Sequence, residues 1–284
     1  MAPPLCPRFM SAAKPDRFTI WGSRGSVAVS NPESTRYGGH TTCLEFETEH
    51  ARVLIDAGTG LVEMLRQRGG ETKPTLLLVS HLHWDHIVGF PFYAPLFRPG
   101  WDLDVRGVPR AGKSVFEALL SVNQPPIFPL DLGGLIAANV RSEDLPEHGS
   151  ASFHGIDIAW TEVWHPGGCS AFRLSAGGRS VVFTGDVELP FTDRAALTEF
   201  TEGADTLICD AQYSAEQYER HVRWGHSSNI DAARFAADAG VDRLILTHHD
   251  PMHDDEAIDR LVEQAREVFP RVDAARHGMH VIGS

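Results

Sequence analysis

His81-Leu82-His83-Trp84-Asp85-His86 follows directly on the apolar run TLLLVS (75–80). The run is short, continuous and rich in Leu, which reads as a strand buried on both faces. Where it ends, four ligand-type side chains fall within six residues: His81, His83, Asp85 and His86. Imidazole nitrogen suits zinc, iron or manganese, and a carboxylate adds a hard oxygen donor. The alternative, a polar loop without metal, leaves unexplained why so many donors share one turn.

Three further donors lie far away in sequence, each closing an apolar run. His165 follows TEVW, Asp186 follows SVVFTG and His248 follows RLILT. Strand ends on one rim of a sheet converge in space, so these residues can meet despite their separation. A single histidine after a strand is more often structural. Three such positions together with the hexapeptide favour a metal centre.

The rest of the chain supplies strands and helices to carry them. FTIWG, CLEFE and ARVLIDAG read as strands, the last entering the turn Asp56-Ala-Gly-Thr-Gly60. LVEMLRQRGG has helical spacing with a glycine stop. From Pro91 to about Pro146 prolines and aromatics interrupt any period, and only SVFEALLSV looks helical. This stretch reads as an insertion of loops and a helix, either over a site or as surface elaboration. FHGIDIAWTEVW, SAFRLSA, RSVVFTGD, DTLICD and RLILTHHD are strands, and NIDAARFAADAG and DDEAIDRLVEQAREVF are helices. The pattern is a duplicated strands-then-helix plan. Residues 1–15 read as a loose tail and 16–284 as one domain.

Composition narrows the function. Of 284 residues, 38 are acidic and 25 basic, for a net charge of −13. That disfavours a protein that coats nucleic acid, without excluding a small anionic substrate held through metal ions. Four scattered cysteines with no CxxC pair fit a reducing compartment. No signal-type or membrane-length apolar run is present, so a cytoplasmic protein without a membrane partner is expected, as a monomer or a homodimer.

HLHWDH, WHPGG, FTGD and LTHHD, in that order, resemble the successive metal motifs of the metallo-β-lactamase superfamily. WGSRGS, RYGGHTTC and HWDHIVGFPFY are most similar to its phosphodiesterase branch, which includes RNase Z and cyclic-nucleotide phosphodiesterase-like hydrolases. The resemblance implies an α/β fold, a four-layer αββα sandwich with a two-metal site at one edge. It implies that His81, His83 and His165 hold one ion, that Asp85, His86 and His248 hold the other, and that Asp186 bridges them. Zinc is the first expectation, with manganese or iron as alternatives. A bridging hydroxide is then the nucleophile, and the metal ligand Asp85 also counts among the catalytic residues. Cys209-Asp210-Ala-Gln-Tyr213 and Gly225-His226-Ser227 resemble the RNase Z relay motifs, although Asp210 replaces a glutamate there. By that resemblance His226 protonates the leaving group and Asp210 orients it. The simpler alternative is that His226 caps the following helix.

The implied activity is hydrolysis of a small phosphodiester such as a cyclic nucleotide. The alternatives are a lactonase or thioesterase on the same centre and a non-enzymatic metal-holding module. Other residues receive plainer readings. Asp56 fixes the ligand-bearing loop, Trp84 packs, and His249 and His253 face solvent. His40 faces the site or makes a structural contact, and Phe92, Tyr93 and Phe128 stack on a base or fill the core.

Overall fold

A computed structural model describes residues 16–68 and 73–282. The segment 1–15 and the glycine stop at Gly69-Gly70 lie outside the described residues. The strands are β1 (Arg17–Gly22), β2 (Cys43–Glu47), β3 (Arg52–Ile55), β4 (Thr75–Leu78), β5 (Asp102–Gly107), β6 (Asn139–Asp144), β7 (His148–Phe153), β8 (Ile156–Val163), β9 (Cys169–Ala176), β10 (Arg179–Phe183), β11 (Thr206–Asp210), β12 (Arg243–Thr247), β13 (Val272–Ala274) and β14 (Met279–Ile282). The helices are α1 (Thr59–Arg68), α2 (Trp84–Ile87), α3 (Val115–Val122), α4 (Arg194–Thr201), α5 (Ala215–Tyr218), α6 (Asn229–Asp238) and α7 (Asp255–Arg266).

Two seven-stranded sheets form, in the orders β14-β1-β2-β3-β4-β5-β6 and β13-β12-β11-β10-β9-β8-β7. Alternation along each strand assigns its side chains to layers. Phe18, Ile20, Leu76 and Leu78 of the first sheet meet Val181, Phe183, Ile208 and Ile245 of the second in a core between the sheets. The intervening residues face outward. Leu77 and Leu103 pack with Leu61, Met64 and Leu119 of α1 and α3. Val182, Leu207 and Leu246 pack with Ala232, Phe235 and Ile258 of α6 and α7. Three apolar layers in this order make the expected αββα sandwich. Each fully buried Leu, Ile, Val or Phe contributes about 1.5–3 kcal/mol.

The sequence reading of 91–146 needs correction. β5 and β6 extend the first sheet by two parallel strands, Leu76 pairing with Asp104 and Leu103 with Val140. β6 is hidden from a pattern search because five of its six side chains are exposed, and backbone pairing with β5 is what places it in the sheet. β5 alternates Leu103 and Val105 inward with charged neighbours outward. Only α3 matches expectation, closed by a capping box between Ser114 and Glu117.

The parallel pairs β3–β4 and β10–β11–β12 run in one sense, so the segments after β3, β4, β10, β11 and β12 emerge on one rim. That rim carries Asp56, the hexapeptide, Asp186, Asp210 and His248.

Candidate metal centre

α2 is one turn long and begins at Trp84, with His83 as the residue before it. This turn buries Asp85 and His86 and leaves Trp84 53% exposed. Trp84 is therefore not a packing residue as expected, because the inner face of α2 belongs to its two polar neighbours.

The structure brings together all seven residues to which the sequence assigns metal. One ligand atom from each of His81, His83, His165 and Asp186 lies within 4.8 Å of the others, and the same holds for Asp85, His86, Asp186 and His248. Asp186 stands in both sets. Its Oδ1 is 3.2 Å from His86 Nε2, and its Oδ2 is 3.1 Å from His248 Nε2 and 3.5 Å from His81 Nε2. His165 Nε2 lies 3.0 Å from His83 Nδ1.

The opposite ring edges are fixed by the surrounding protein. His86 Nδ1 bonds Asp56 Oδ2 at 2.7 Å, His165 Nδ1 donates to the Gly225 carbonyl at 2.8 Å, and His248 Nδ1 donates to Gln212 Oε1 at 2.9 Å. Such partners select the tautomer and aim the other nitrogen. The buried Nε2 atoms of His81 and His86 have no hydrogen-bond partner. Two buried orphans among convergent carboxylates fit cation donors, since an unpartnered buried nitrogen is otherwise costly.

Electrostatics agree. Burial opposes ionisation of Asp85 and Asp186, yet the histidines around them override it and hold both well below the usual carboxylate range. Burial lowers His81, His83 and His165, the last to about 4, which keeps their lone pairs free at neutral pH. Burial also opposes protonation of His86 and His248, but Asp186 overrides it, raising His248 to about 10 and His86 well above its ordinary value. Two buried carboxylates thus demand positive charge where divalent cations would sit.

Asp56 does what the sequence suggested. It accepts from the Ser80 backbone N–H at 2.8 Å and the Ser80 hydroxyl at 2.7 Å while bonding His86. Asp210 Oδ2 meets His226 Nδ1 at 2.8 Å and also accepts from Val187 N–H at 3.0 Å, while Oδ1 accepts from Gln212 N–H. His226 stacks on His248 with centroids 4.5 Å apart. It does not cap α6, because Ser228 does so by accepting from Asp231 N–H.

His249 and His253 are buried, contrary to expectation. Arg24 reaches over their turn and donates to the carbonyls of Asp250 and His253, covering the chain after β12. Burial lowers His249 to about 3, and its Nε2 donates to the Ala275 carbonyl. His40 lies apart from the cluster, 3.3 Å from the Thr59 hydroxyl. Tyr93 is core, whereas Phe92 is exposed and edge-on to Phe128 at 6.2 Å.

A family model described as beta-lactamase superfamily domain matches residues 51–249. The chain belongs to that superfamily. Within this metallo-β-lactamase group it is 32% identical over 267 residues to a Bacillus subtilis protein named probable metallo-hydrolase YhfI, covering 92% of this chain and 98% of the other. It is 27% identical over 302 residues to ribonuclease Z of Ignicoccus hospitalis, covering 91% and 95%. The YhfI crystal structure superposes with a TM-score of 0.74 at 22% identity over 95% of this chain and all of the other. A diphosphatase of the PhnP family superposes at 0.70 and 18% identity, covering 95% and 98%, which speaks for the fold. This superfamily member is a metal-dependent hydrolase.

Several residues shape the centre without a sequence signal. Ser26 N–H donates to Asp85 Oδ2 at 2.8 Å from a left-handed backbone, φ 60°. Asp56 and His248 are left-handed too, at 63° and 60°. Strain of about 1–3 kcal/mol at each such position persists where the surroundings over-determine it. Gly25 lies flat against His248, where any Cβ would collide with the imidazole. Glu188, two residues after Asp186 and fully buried, accepts from Tyr218 Oη, Arg223 N–H and Gly225 N–H at 2.6–2.8 Å. It thereby fixes the loop whose Gly225 carbonyl orients His165. Only its closeness to Asp186 in sequence could have pointed to it.

Proposed function

We propose that this chain is a dinuclear metal-dependent phosphodiesterase for a small phosphodiester, with a cyclic nucleotide as the leading candidate. His81, His83 and His165 would hold one ion and Asp85, His86 and His248 the second, with Asp186 between them. Nitrogen and oxygen donors without thiolate favour zinc, with manganese or iron as alternatives. Two divalent ions supply an ionised water near neutral pH and offset charge on phosphoryl oxygens.

The observation that carries the reading is the His226–Asp210 pair. Asp210 is fully buried and anchored by two backbone N–H groups, so it accepts the Nδ1–H of His226 and leaves Nε2 as the edge from which the protonated ring can give a proton. As the phosphorus–oxygen bond breaks, His226 passes the Nε2 proton to the departing oxygen, and solvent later restores it. An acyl hydrolase has less use for a second acid beside its metals. The ribonuclease Z and the diphosphatase among the similar proteins also support chemistry at phosphorus. The net charge of −13 favours a small diester over a long RNA.

The test compares leaving groups. His226→Ala is expected to slow a diester with a ribose-type leaving hydroxyl by about 10²–10⁴-fold while the metals stay bound. A p-nitrophenyl diester, whose phenolate departs without a proton, should be little affected. Asp210→Asn should give the same pattern more weakly. Equal losses on both diesters would remove the general-acid role, and faster turnover of lactones than of either diester would favour the acyl hydrolase.

A further inference from the structure

We infer that Arg110 is a positioning residue for the metal centre. It braces the turn that carries His165 against the strand end that carries His81, and so sets the affinity of the ion those two residues share. The inference deepens the two-ion reading and rests on it.

His165 sits in the loop 164–168 between β8 and β9. The loop ends in Gly167 and Gly168, both left-handed at φ 88° and 82°. Two glycines in a row leave the backbone wide freedom, so a fixed imidazole there needs support from outside the loop. Within the loop, Gly168 N–H closes the turn on the His165 carbonyl at 2.8 Å. From outside, the Arg110 guanidinium lies against Gly168, where any Cβ would collide with it.

The same guanidinium grips the base of the loop. Glu162 on β8 and Ser170 on β9 are cross-strand partners. Arg110 Nη1 and Nη2 donate to the two carboxylate oxygens of Glu162 at 2.9 and 2.7 Å, and Nη2 reaches Ser170 Oγ at 3.3 Å. Ser170 Oγ donates to Glu162 Oε1 at 2.9 Å. The Ser170 N–H donates in turn to the Ser80 carbonyl at 3.0 Å, and Ser80 immediately precedes His81. One group of three side chains therefore touches the His165 turn and is tied to the start of the hexapeptide.

Arg110 comes from the other sheet, in the segment between β5 and α3. Ala111 and Gly112, left-handed at φ 50° and 77°, make a two-residue turn there. Arg110 and Lys113 exchange both backbone hydrogen bonds across it at 3.0 Å. The guanidinium thus starts from a closed turn. A planar fork of donors fixes Glu162 in orientation as well as distance, which a point charge would not do. The two side chains are 14% and 20% exposed, so solvent screens the pair little.

The effect is one-sided. His81 and His165 belong to one set of donors, with rings edge-on at 4.8 Å, yet they stand on different sheets. A shift of the β8–β9 loop against the end of β4 changes their spacing directly. Asp85, His86 and His248 are held by Ser26, Asp56 and Gln212, none of which is hydrogen-bonded to Arg110 among the described residues.

The experiment strips the full chain of metal and titrates it with zinc against a chromophoric chelator. The unaltered protein should take up two ions. In Arg110→Met one ion should bind about 10–100-fold more weakly, the usual size for loss of a group that orients a ligand. The other ion should keep its affinity to within about twofold, as expected for sites without shared partners. Arg110→Lys should recover part of the loss, because it keeps a cation beside Glu162 but not the fork. In a His83→Ala background, where only the second ion remains, Arg110→Met should have no effect. Glu162→Gln should give the same one-sided loss, so the test stands even where Arg110→Met is unstable. Equal weakening of both ions would overturn the inference alone. So would unchanged affinities accompanied only by a lower melting temperature of the metal-free protein. Fewer than two ions in the unaltered protein would overturn the two-ion reading, and this inference with it.

Discussion

Two groups of charged side chains are buried on the first sheet, near opposite ends of its parallel strands. At the start of β3, Glu45 meets Arg52 Nε at 2.6 Å, Arg68 at 3.0 Å and Trp21 Nε1 at 3.0 Å. Glu47 beside it meets Arg17, Arg52 and Lys73. Past the ends of β3 and β4, Asp56, Asp85 and Asp186 face histidines, and the Nε2 atoms of His81 and His86 are unpartnered. The first cluster closes on itself, each carboxylate matched by cations of its own chain. The second draws its positive charge from titratable rings and leaves donors open. Both clusters hold buried carboxylates, so a buried carboxylate by itself does not mark function. What distinguishes the second cluster is that its carboxylates converge on imidazoles rather than on fixed cations, with the Nε2 atoms of His81 and His86 open between them.

The comparison can be broken by experiment. The largest effect on turnover is expected from Asp186→Ala, which removes the carboxylate shared by both halves of the cluster. Activity should be lost and metal content, measured from protein purified without chelator, should drop from about two ions per chain. The protein should stay folded, because Asp186 follows a strand end outside the apolar layers. Normal turnover in this variant would refute the shared role.

A smaller loss should follow Glu188→Gln. An amide in place of the carboxylate sets an N–H against the backbone donors of Arg223 or Gly225 and loosens the loop carrying His226. A fall of about tenfold in kcat with little change in KM is expected, and Glu188→Asp should recover part of it. A change in KM alone would show that the loop serves binding rather than proton transfer.

The smallest effect on turnover belongs to the closed cluster. Arg52→Ala leaves buried Glu45 to Arg68 and Trp21 alone and should cost about 1–3 kcal/mol of stability, while turnover well below the melting temperature stays normal. The cluster also has a pH signature. Burial opposes ionisation of Glu47, but hydrogen bonds from Lys73 and Arg17 override it and hold its carboxyl down to about 2. A depressed carboxyl favours folding above its ordinary value of 4.5, and that contribution fades as pH falls from there toward 2. Denaturation midpoints across that window should fall less steeply in Glu47→Gln. An identical slope in both proteins would show that Glu47 does not drive the acid sensitivity.

The residues of the cluster were legible because their spacing is local or tied to strand ends. His81 to His86 occupy a single turn, and His165, Asp186 and His248 each close an apolar run that marks its own boundary. The pairing of Asp210 with His226 was legible only through resemblance, since sixteen residues and a one-turn helix separate them. β6 was illegible, because an edge strand with mostly exposed side chains carries no burial period. His249 and His253 were misplaced because Arg24, more than two hundred residues earlier, covers their turn.

The sequence by itself determined the strands with apolar faces, the order of the donors along the chain and the superfamily they resemble. Each of these depends on side chains within a few residues of one another. The tertiary structure decided which donors share Asp186, which imidazole edges are tied back by Asp56, Gln212 and the Gly225 carbonyl, and which charged cluster is closed. It also decided that Trp84 and Trp224 stand out of the core. Those outcomes depend on contacts between strand ends far apart in sequence, and only folding into two stacked sheets brings those ends within hydrogen-bond distance.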